Sequence, residues 1–93
     1  MAPEFEWDER KSARNFELRG FDFEFGTALF DNPVAEKVDD RRDCGELRIV
    51  AIGMIGDDYF TVVYTPRGEK RRIISVRRAK RKEINEYHSK NPG

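Results

Sequence analysis

The sequence predicts a small α+β domain in which helices pack on an antiparallel sheet, arranged as a meander. Helical patterns with capping residues occupy the first third of the chain, and β-branched and aromatic runs separated by turns occupy the middle. A strongly basic segment with a helical end follows them. With 93 residues, 38% of them hydrophobic, the chain should form a single domain, residues 1–93, around one modest core.

The first helix is expected directly after a brief strand at residues 4–7. Asp8 can cap this helix, which covers residues 9–19, and Gly20 is placed to end it. Three apolar side chains are expected on its buried side: Ala13, Phe16 and Leu18.

The second helix is shorter and covers residues 23–30, with Asp22 as its cap. Pro33 disfavours a helical conformation at Asn32 and so ends this helix. Four apolar side chains give it a face that packs on the sheet: Phe23, Phe25, Leu29 and Phe30.

Strands are predicted next. Residues 34–38 are typical of an edge strand, and a polar loop at 39–45 follows them. The β-branched and aromatic runs at 46–55 and 59–65 flank a short Gly-Asp-Asp turn, which is a hairpin signal.

A second turn, containing Pro66 and Gly68, precedes the last strand at residues 71–76. Residues 77–90 are then expected to form a helix. The side chains expected to face the sheet from this helix are Ala79, Ile84 and Tyr87. The predicted order is therefore β-α-α-β-β-β-β-α, with two N-terminal helices and one C-terminal helix.

Charge is divided unevenly along a chain whose formal net charge is zero. Residues 1–66 carry eight Lys/Arg and fifteen Asp/Glu, a net −7, whereas residues 67–93 carry ten and three, a net +7. Within the second part, residues 71–83 hold seven basic side chains and one acid, Glu83. This asymmetry favours a surface for a polyanion or an acidic partner, although exposed helices and hairpins also collect charge without any ligand.

The usual enzyme signatures are mostly absent: the sequence has no phosphate-binding glycine loop, no nucleophile elbow, no HExxH and no CxxC. The one histidine, His88, excludes a multi-histidine metal site, and the acids Asp39, Asp40 and Asp43 lack metal-loop spacing. The one cysteine, Cys44, excludes an internal disulfide. No apolar run approaches the roughly 18 residues of a membrane span, and no signal peptide is seen. We therefore expect a cytoplasmic protein with no bound metal, no cofactor and no membrane partner.

The basic segment is expected to split into a strand and a helix, which brings several guanidinium groups to one edge of the sheet. Simple alternation along the strand places Arg72 and Arg77 on opposite faces. Arginine binds phosphate through paired hydrogen bonds and stays charged. Metal-free RNA cleavage needs an activated 2′-OH, a neutralised phosphorane and a proton for the leaving oxygen; Arg and Lys supply the second, and Tyr, Glu, His or Lys can supply the others. Composition thus favours nucleic-acid binding and leaves catalysis open.

Five stretches in order carry a family resemblance: FEWDERKSARNFELRGFDF (5–23), ALFDNP (28–33), RIVAIG (48–53), VVYTPRG (62–68) and RRIISVRRAKRKE (71–83). In order and spacing they resemble the BrnT family of toxins, from Phe5 to about Tyr87. The resemblance implies a RelE-like ribonuclease fold and cleavage of RNA without a metal, which halts translation. It also implies a BrnA-like antitoxin whose ribbon-helix-helix part binds operator DNA, and a complex built around a toxin homodimer that represses its own operon.

One stretch departs from the family's usual pattern. The end of the first helix usually reads N-x-x-K-H-G, and here Leu18 and Arg19 stand at the lysine and histidine positions. Arg19 keeps a positive charge but cannot serve as a proton-transfer base.

Six positions match the family's pattern: Arg48, Tyr64, Arg72, Ser75, Arg77 and Arg78. Our hypothesis is that Arg72, Arg77, Tyr64 and Arg48 form the catalytic group. Arg72 and Arg77 would hold the scissile phosphate with Arg48 in support, and Tyr64 would stack on a base or transfer a proton. The residues expected along the flanking RNA backbone are Arg78, Lys80, Arg81 and Lys82.

Other interpretations stay open. Tyr64 can instead be a sheet residue packed against a helix, and Arg72 can be paired with an acid of the first half. For the chain as a whole, the alternatives are a non-catalytic nucleic-acid-binding or corepressor module, and a protein-interaction domain with a basic docking face.

Overall fold

The computed structural model describes residues 4–39 and 46–90. The predicted α+β class and element order are confirmed. The elements are β1 (Glu4–Glu6), α1 (Glu9–Arg19), α2 (Phe23–Thr27), a 3₁₀ turn (Ala28–Asp31), β2 (Val34–Val38), β3 (Ile49–Ile55), β4 (Asp58–Arg67), β5 (Lys70–Arg78) and α3 (Arg81–Lys90). Three residues discussed above, Asp40, Asp43 and Cys44, lie outside the described residues.

The predicted helix caps are confirmed. The Asp8 carboxylate accepts hydrogen bonds from the backbone N–H of Arg10 (2.8 Å) and Lys11 (3.3 Å), and these bonds lower the pKa of Asp8. Gly20 adopts φ 86° and donates its N–H to the Phe16 carbonyl at 2.8 Å, so α1 ends in a left-handed glycine. Asp22 caps α2 in the same way as Asp8 caps α1.

The buried side of α1 is polar, and the prediction for it was wrong. Phe16 is 57% exposed and Leu18 is 74% exposed, whereas Ser12 and Asn15 are buried. Ala13 is exposed as well. Hydrogen bonds explain this choice of face. The Ser12 hydroxyl accepts the backbone N–H of the first residue of α2, and the Asn15 amide bonds the edge of β5, so the helix is oriented by polar contacts.

The second helical segment supplies the apolar contacts that the first lacks. Phe23 and Leu29 are fully buried in the core, as predicted, Phe30 is partly buried, and Phe25 is 37% exposed at its edge. Gly26 packs directly on the sheet, because a Cβ there would lie 2.5 Å from Val76 Cγ2. The core cluster consists of Phe23, Leu29, Ala51, Phe60, Val62, Tyr64, Ile73 and Val76.

The sheet has five strands in the order β1-β5-β4-β3-β2. Strands β2 to β5 form the predicted antiparallel meander. Strand β1, in contrast, pairs in parallel with the start of β5, where Glu6 lies opposite Arg72, so the sheet is mixed. Parallel strands need a long connection between them, and here the two helices and strands β2 to β4 separate β1 from β5 along the chain.

Helix α3 begins later than predicted, because β5 continues through Arg78. Ala79 therefore precedes the helix and donates its N–H to the Tyr59 carbonyl at 3.0 Å, while Ile84 and Tyr87 are half-buried. The helix runs across one face of the sheet towards β2, where Lys90 Nζ donates to the Glu36 carbonyl at 3.0 Å. Within the described ranges, every helix is too short or too polar to cross a membrane.

Candidate functional site

Strand β5 carries a bulge against β4. Val63 pairs with Ser75 and Tyr64 pairs with Ile73, so Ile74 is an extra residue on β5. An extra residue inverts the alternation of side chains beyond it. The two ends of β5 therefore present faces that simple alternation does not predict.

The bulge brings Arg72 and Arg77 to the same face of the sheet. Arg72 pairs with Thr65 and Arg77 pairs with Thr61. Those two threonines are four residues apart on β4 and share a face, so the two arginines share it as well. The prediction that the two arginines lie on opposite faces was wrong, because it assumed an uninterrupted strand.

This face carries an open cleft with a volume of about 330 Å³. Its floor is apolar, with Val50 and Val63 paired across β3 and β4. Lys37 continues the same row on β2, since it pairs with Val50. The full lining consists of Lys37, Val38, Asp39, Val50, Val63, Arg77 and Glu83.

One wall of the cleft is built around the Glu83 carboxylate. Arg77 donates from Nη1 to Oε1 at 2.7 Å and from Nη2 to Oε2 at 2.8 Å, which is a two-bond ion pair. The Thr61 hydroxyl donates to Oε1 at 3.0 Å, and the Lys80 backbone N–H donates at 2.9 Å. The bond from Lys80 is half of a capping box, in which the third residue of a helix bonds back to the cap N–H. One carboxylate therefore links β4, β5 and the start of α3.

These contacts fix the charge of Glu83. Burial of its side chain, which is 10% exposed, opposes ionisation, but the hydrogen bonds from Arg77 and Lys80 outweigh it and lower the pKa of Glu83 from 4.5 to about 2. Glu83 is therefore ionised near neutral pH and is occupied by four donors. It holds Arg77 in place and is not available to exchange protons there.

Lys37 supplies a second cation to the cleft. Its ammonium group pairs with Glu86 on α3 at 2.9 Å, and its side chain is 41% exposed. Sequence reasoning missed both Lys37 and Glu83 as site residues. Glu83 did carry a signal, since it is the one acid in the basic segment, whereas nothing in the edge strand distinguished Lys37 from its neighbours.

A family model described as "Ribonuclease toxin, BrnT, of type II toxin-antitoxin system" matches residues 7–83. The chain belongs to the BrnT family. The family consists of ribonuclease toxins of type II toxin–antitoxin systems, which implies RNA as the target and an antitoxin protein as the partner. A comparison with curated proteins gives no match. The matched BrnT region includes every residue that lines the cleft.

Two arginines predicted for the BrnT site lie near the cleft without lining it. Arg72 Nη1 pairs with Glu6 Oε2 at 3.1 Å, which realises the alternative that Arg72 meets an acid of the first half. Arg48 is partly buried directly before β3, and its carbonyl accepts the backbone N–H of Asp39 at 2.9 Å. Thr65, opposite Arg72, has a buried hydroxyl with no hydrogen-bond partner in the described part of the chain.

Tyr64 lies on the other face of the sheet, since it directly precedes Thr65 on β4. It is 5% exposed and donates its hydroxyl to Glu36 Oε2 at 2.9 Å. Burial, together with the Glu36 carboxylate, raises the pKa of Tyr64 to about 12. Its ring packs edge-on against Phe30, and the Arg71 guanidinium lies 5.2 Å from the ring centre. These contacts are those of a packed sheet residue.

The remaining basic residues of the BrnT prediction separate into two groups. Arg78 is on the face opposite Arg77; it pairs with Asp58 at 3.4 Å, and its guanidinium lies over the Phe21 and Phe60 rings. The second group is exposed on the segment that enters α3, next to the Glu83 wall of the cleft: Lys80, Arg81 and Lys82.

Two further sequence features are placed away from the cleft. Leu18 and Arg19, the two residues at which the sequence was expected to depart from the family's pattern, are exposed at the end of α1. His88 Nε2 lies 2.8 Å from the Tyr59 hydroxyl in a small aromatic group that includes Tyr87. Among residues 4–39 and 46–90, no three His, Cys, Asp or Glu side chains are grouped to hold a metal ion.

Proposed function

We propose that this BrnT chain is an active endoribonuclease and that the cleft walled by Arg77 and Glu83 is its active site. The observation that carries the proposal is the two-bond contact between these residues at the edge of an open, apolar-floored cleft. It orients a guanidinium group that stays charged at every relevant pH. A preoriented cation is what the developing charge of a phosphorane requires.

The other roles follow from position. We assign Lys37, on β2, to the scissile phosphate. We assign Arg72, which shares the face of Arg77, and Arg48, whose carbonyl accepts the backbone N–H of the cleft residue Asp39, to the flanking positive surface. Lys80, Arg81 and Lys82, exposed at the start of α3, follow the flanking RNA backbone.

Proton transfer in the proposed reaction needs groups other than Glu83. Two further ionisable side chains line the cleft in the described residues, Asp39 and Lys37. We assign Asp39 as the base that takes the proton of the 2′-OH, and Lys37 as the acid that gives a proton to the leaving 5′ oxygen. No step in this scheme uses a metal ion. Tyr64 is assigned a packing role, because it is buried on the opposite face.

The proposal includes the biology of a type II system. The chain cleaves RNA in the cytoplasm and thereby halts translation, in a RelE-like manner. A BrnA-type ribbon-helix-helix antitoxin neutralises it, and the complex, built around a toxin homodimer, binds operator DNA through the antitoxin and represses the operon. Family membership supports the pairing of a toxin with an antitoxin protein.

The test is RNA cleavage by purified protein in the presence of EDTA. We expect Arg77→Gln to lower the rate by about 100-fold, the usual effect of removing one charge-stabilising donor. Lys37→Ala should lower it by about tenfold or more, through loss of general acid catalysis. The matched control is Arg67→Ala. Arg67 is an exposed arginine at the end of β4 that pairs with Glu46 at 3.0 Å and does not line the cleft.

Two results would contradict the assignment. Equal cleavage by Arg77→Gln, Lys37→Ala and Arg67→Ala would remove the cleft from the reaction. RNA left intact by folded wild-type protein, with binding that weakens as salt rises, would instead support the non-catalytic nucleic-acid-binding module. The exposed cations Lys80, Arg81 and Lys82 are the observation that favours this second candidate.

A further inference from the structure

A second groove, with a volume of about 350 Å³, runs between α1 and the edge of β5. Strand β1 pairs only with Lys70, Arg71 and Arg72 of β5. Beyond them, Ile74 and Ser75 at the same edge of β5 line the groove, and no strand pairs along that part of the edge in the described residues. The lining residues are Lys11, Arg14, Asn15, Leu18, Arg19, Phe23, Ile74 and Ser75. We refer to this surface as the α1 groove. It shares no lining residue with the cleft.

The lining of the α1 groove carries a net positive charge. Lys11, Arg14 and Arg19 line it, and none of its eight lining residues is acidic. None of these three cations forms an ion pair within the described ranges, whereas the strand residues Arg72 and Arg77 are each paired with a carboxylate. The acids Glu9, Glu17 and Asp22 line a different groove on the other flank of α1.

The α1 groove also has an exposed apolar side chain. Leu18 is 74% exposed, the highest value among the large apolar side chains in the described part of the chain. A phosphate backbone would gain nothing from this leucine. The one aromatic side chain that lines the groove, Phe23, is 1% exposed and offers no face on which a base could stack. Cations around an exposed leucine are instead complementary to a protein segment that has both acidic and apolar side chains.

The wall of the α1 groove is held in place before any partner arrives. The Asn15 amide donates from Nδ2 to the Val76 carbonyl at 2.9 Å and to the Phe21 carbonyl at 2.6 Å. The Val76 N–H lies 3.5 Å from Asn15 Oδ1, so the amide acts on the strand edge much as a neighbouring strand would. A preformed surface loses little conformational entropy on binding.

We propose that the α1 groove is the docking site for a segment of the antitoxin that carries acidic side chains and an apolar anchor for Leu18. This inference rests on the proposed function, which supplies the antitoxin as the partner. It places one antitoxin contact at α1, separate from the cleft in which RNA is cut.

The experiment is a calorimetric titration of the purified full chain with the purified antitoxin of its toxin–antitoxin pair, at low and high salt. Arg14→Glu/Arg19→Glu should weaken binding by about 100-fold at low salt and by less at high salt, because the charges are exposed and screened. Leu18→Ser should weaken it by about fivefold at both salt concentrations, through lost apolar burial. Lys70→Glu and Leu47→Ser are the matched controls, since both residues are exposed and lie outside the groove. These controls should bind within about twofold of wild type, as for surface substitutions away from a contact.

Four outcomes of the titration and of the cleavage assay can be told apart. If the α1 variants bind the antitoxin as the controls do, the docking site is elsewhere. If wild type does not bind the antitoxin, the inference and the proposed partner are both wrong, while the EDTA cleavage assay still judges the nuclease. The α1 variants should cleave RNA at the wild-type rate. Loss of RNA cleavage or binding, with antitoxin binding retained, would assign the groove to RNA and overturn the proposal.

Discussion

Replacing Glu83 with glutamine tests whether one carboxylate holds the cleft wall together. In the wild type, Glu83 accepts hydrogen bonds from Arg77, from the Thr61 hydroxyl and from the Lys80 backbone N–H. Glutamine keeps the size of the side chain but replaces one acceptor oxygen with an NH₂ group, which faces the guanidinium donors. The charge-assisted pair is then lost and Arg77 is left without its carboxylate.

The size of the effect follows from the pKa of Glu83, which is lowered from 4.5 to about 2. This lowering of the pKa corresponds to about 3 kcal/mol of folding free energy. Water in the open cleft screens part of this interaction, so we expect Glu83→Gln to lower the free energy of unfolding by about 2 kcal/mol at pH 7.

The same shift predicts a pH dependence. Because the folded-state pKa of Glu83 lies below the unfolded-state value, its contribution is fully present above pH 4.5 and is lost as the pH falls towards 2. The stability difference between wild type and Glu83→Gln should therefore shrink over this window.

The assay is urea unfolding followed by circular dichroism at several pH values. Glu86→Gln is the control, since Glu86 forms a more exposed pair with Lys37, and its loss should cost less than about 1 kcal/mol. A stability difference for Glu83→Gln that stays constant from pH 7 to pH 2, or one no larger than that of the control, would refute the reasoning.

Three further predictions concern packing and hydrogen bonding. Tyr64→Phe should lower the free energy of unfolding by about 1 kcal/mol, because the hydrogen bond to Glu36 is lost, and it should leave RNA cleavage unchanged. In ultraviolet spectra it should remove the tyrosine that titrates near pH 12. Slowed cleavage would restore Tyr64 to the catalytic group. Because the tyrosine pKa is raised in the fold, this contribution should be present below pH 10 and lost as the pH rises towards 12. Gly26→Ala should lower the free energy of unfolding by about 2 kcal/mol, because its Cβ would lie 2.5 Å from Val76 Cγ2. Adding Val76→Ala to the same chain should recover part of this lost stability. An unchanged urea midpoint for Gly26→Ala would show that the site has room for a methyl group. Asn15→Ala should cost about 2 kcal/mol and speed hydrogen exchange at the Val76 amide. Exchange at the wild-type rate there would contradict the role of Asn15 in bonding the edge of β5.

Local chemistry made both ends of α1 and the start of α2 predictable. Asp8, Gly20 and Asp22 each satisfy or shape a helix end through their own side chain or backbone, so their effect does not depend on distant residues. The buried side of α1 was not predictable in this way. Burial of Ser12 and Asn15 depends on backbone groups 11 and 61 residues away, and the exposed Phe16 and Leu18 give a misleading apolar pattern.

The candidate site was predictable in part for a similar reason. The density of arginines in residues 71–83 pointed to the segment that supplies Arg77 and Glu83 to the cleft. The bulge at Ile74 is a relation between two strands, and no pattern within β5 predicts that it turns Arg77 to the face of Arg72. Lys37 enters the cleft through pairing of β2 with β3, which composition does not encode either.

The parallel pairing of β1 with β5 has a consequence for how the chain folds. The contact between Glu6 and Arg72 joins residues 66 positions apart, while the hairpins and the pair of Arg77 with Glu83 close over short distances. Loop closure over such a span costs entropy before any contact is gained, so long-range pairing forms late. During synthesis β1 must wait for β5, and the antiparallel strands can assemble first. We therefore expect the chain to cross its folding barrier with the cleft wall largely formed and β1 still unpaired.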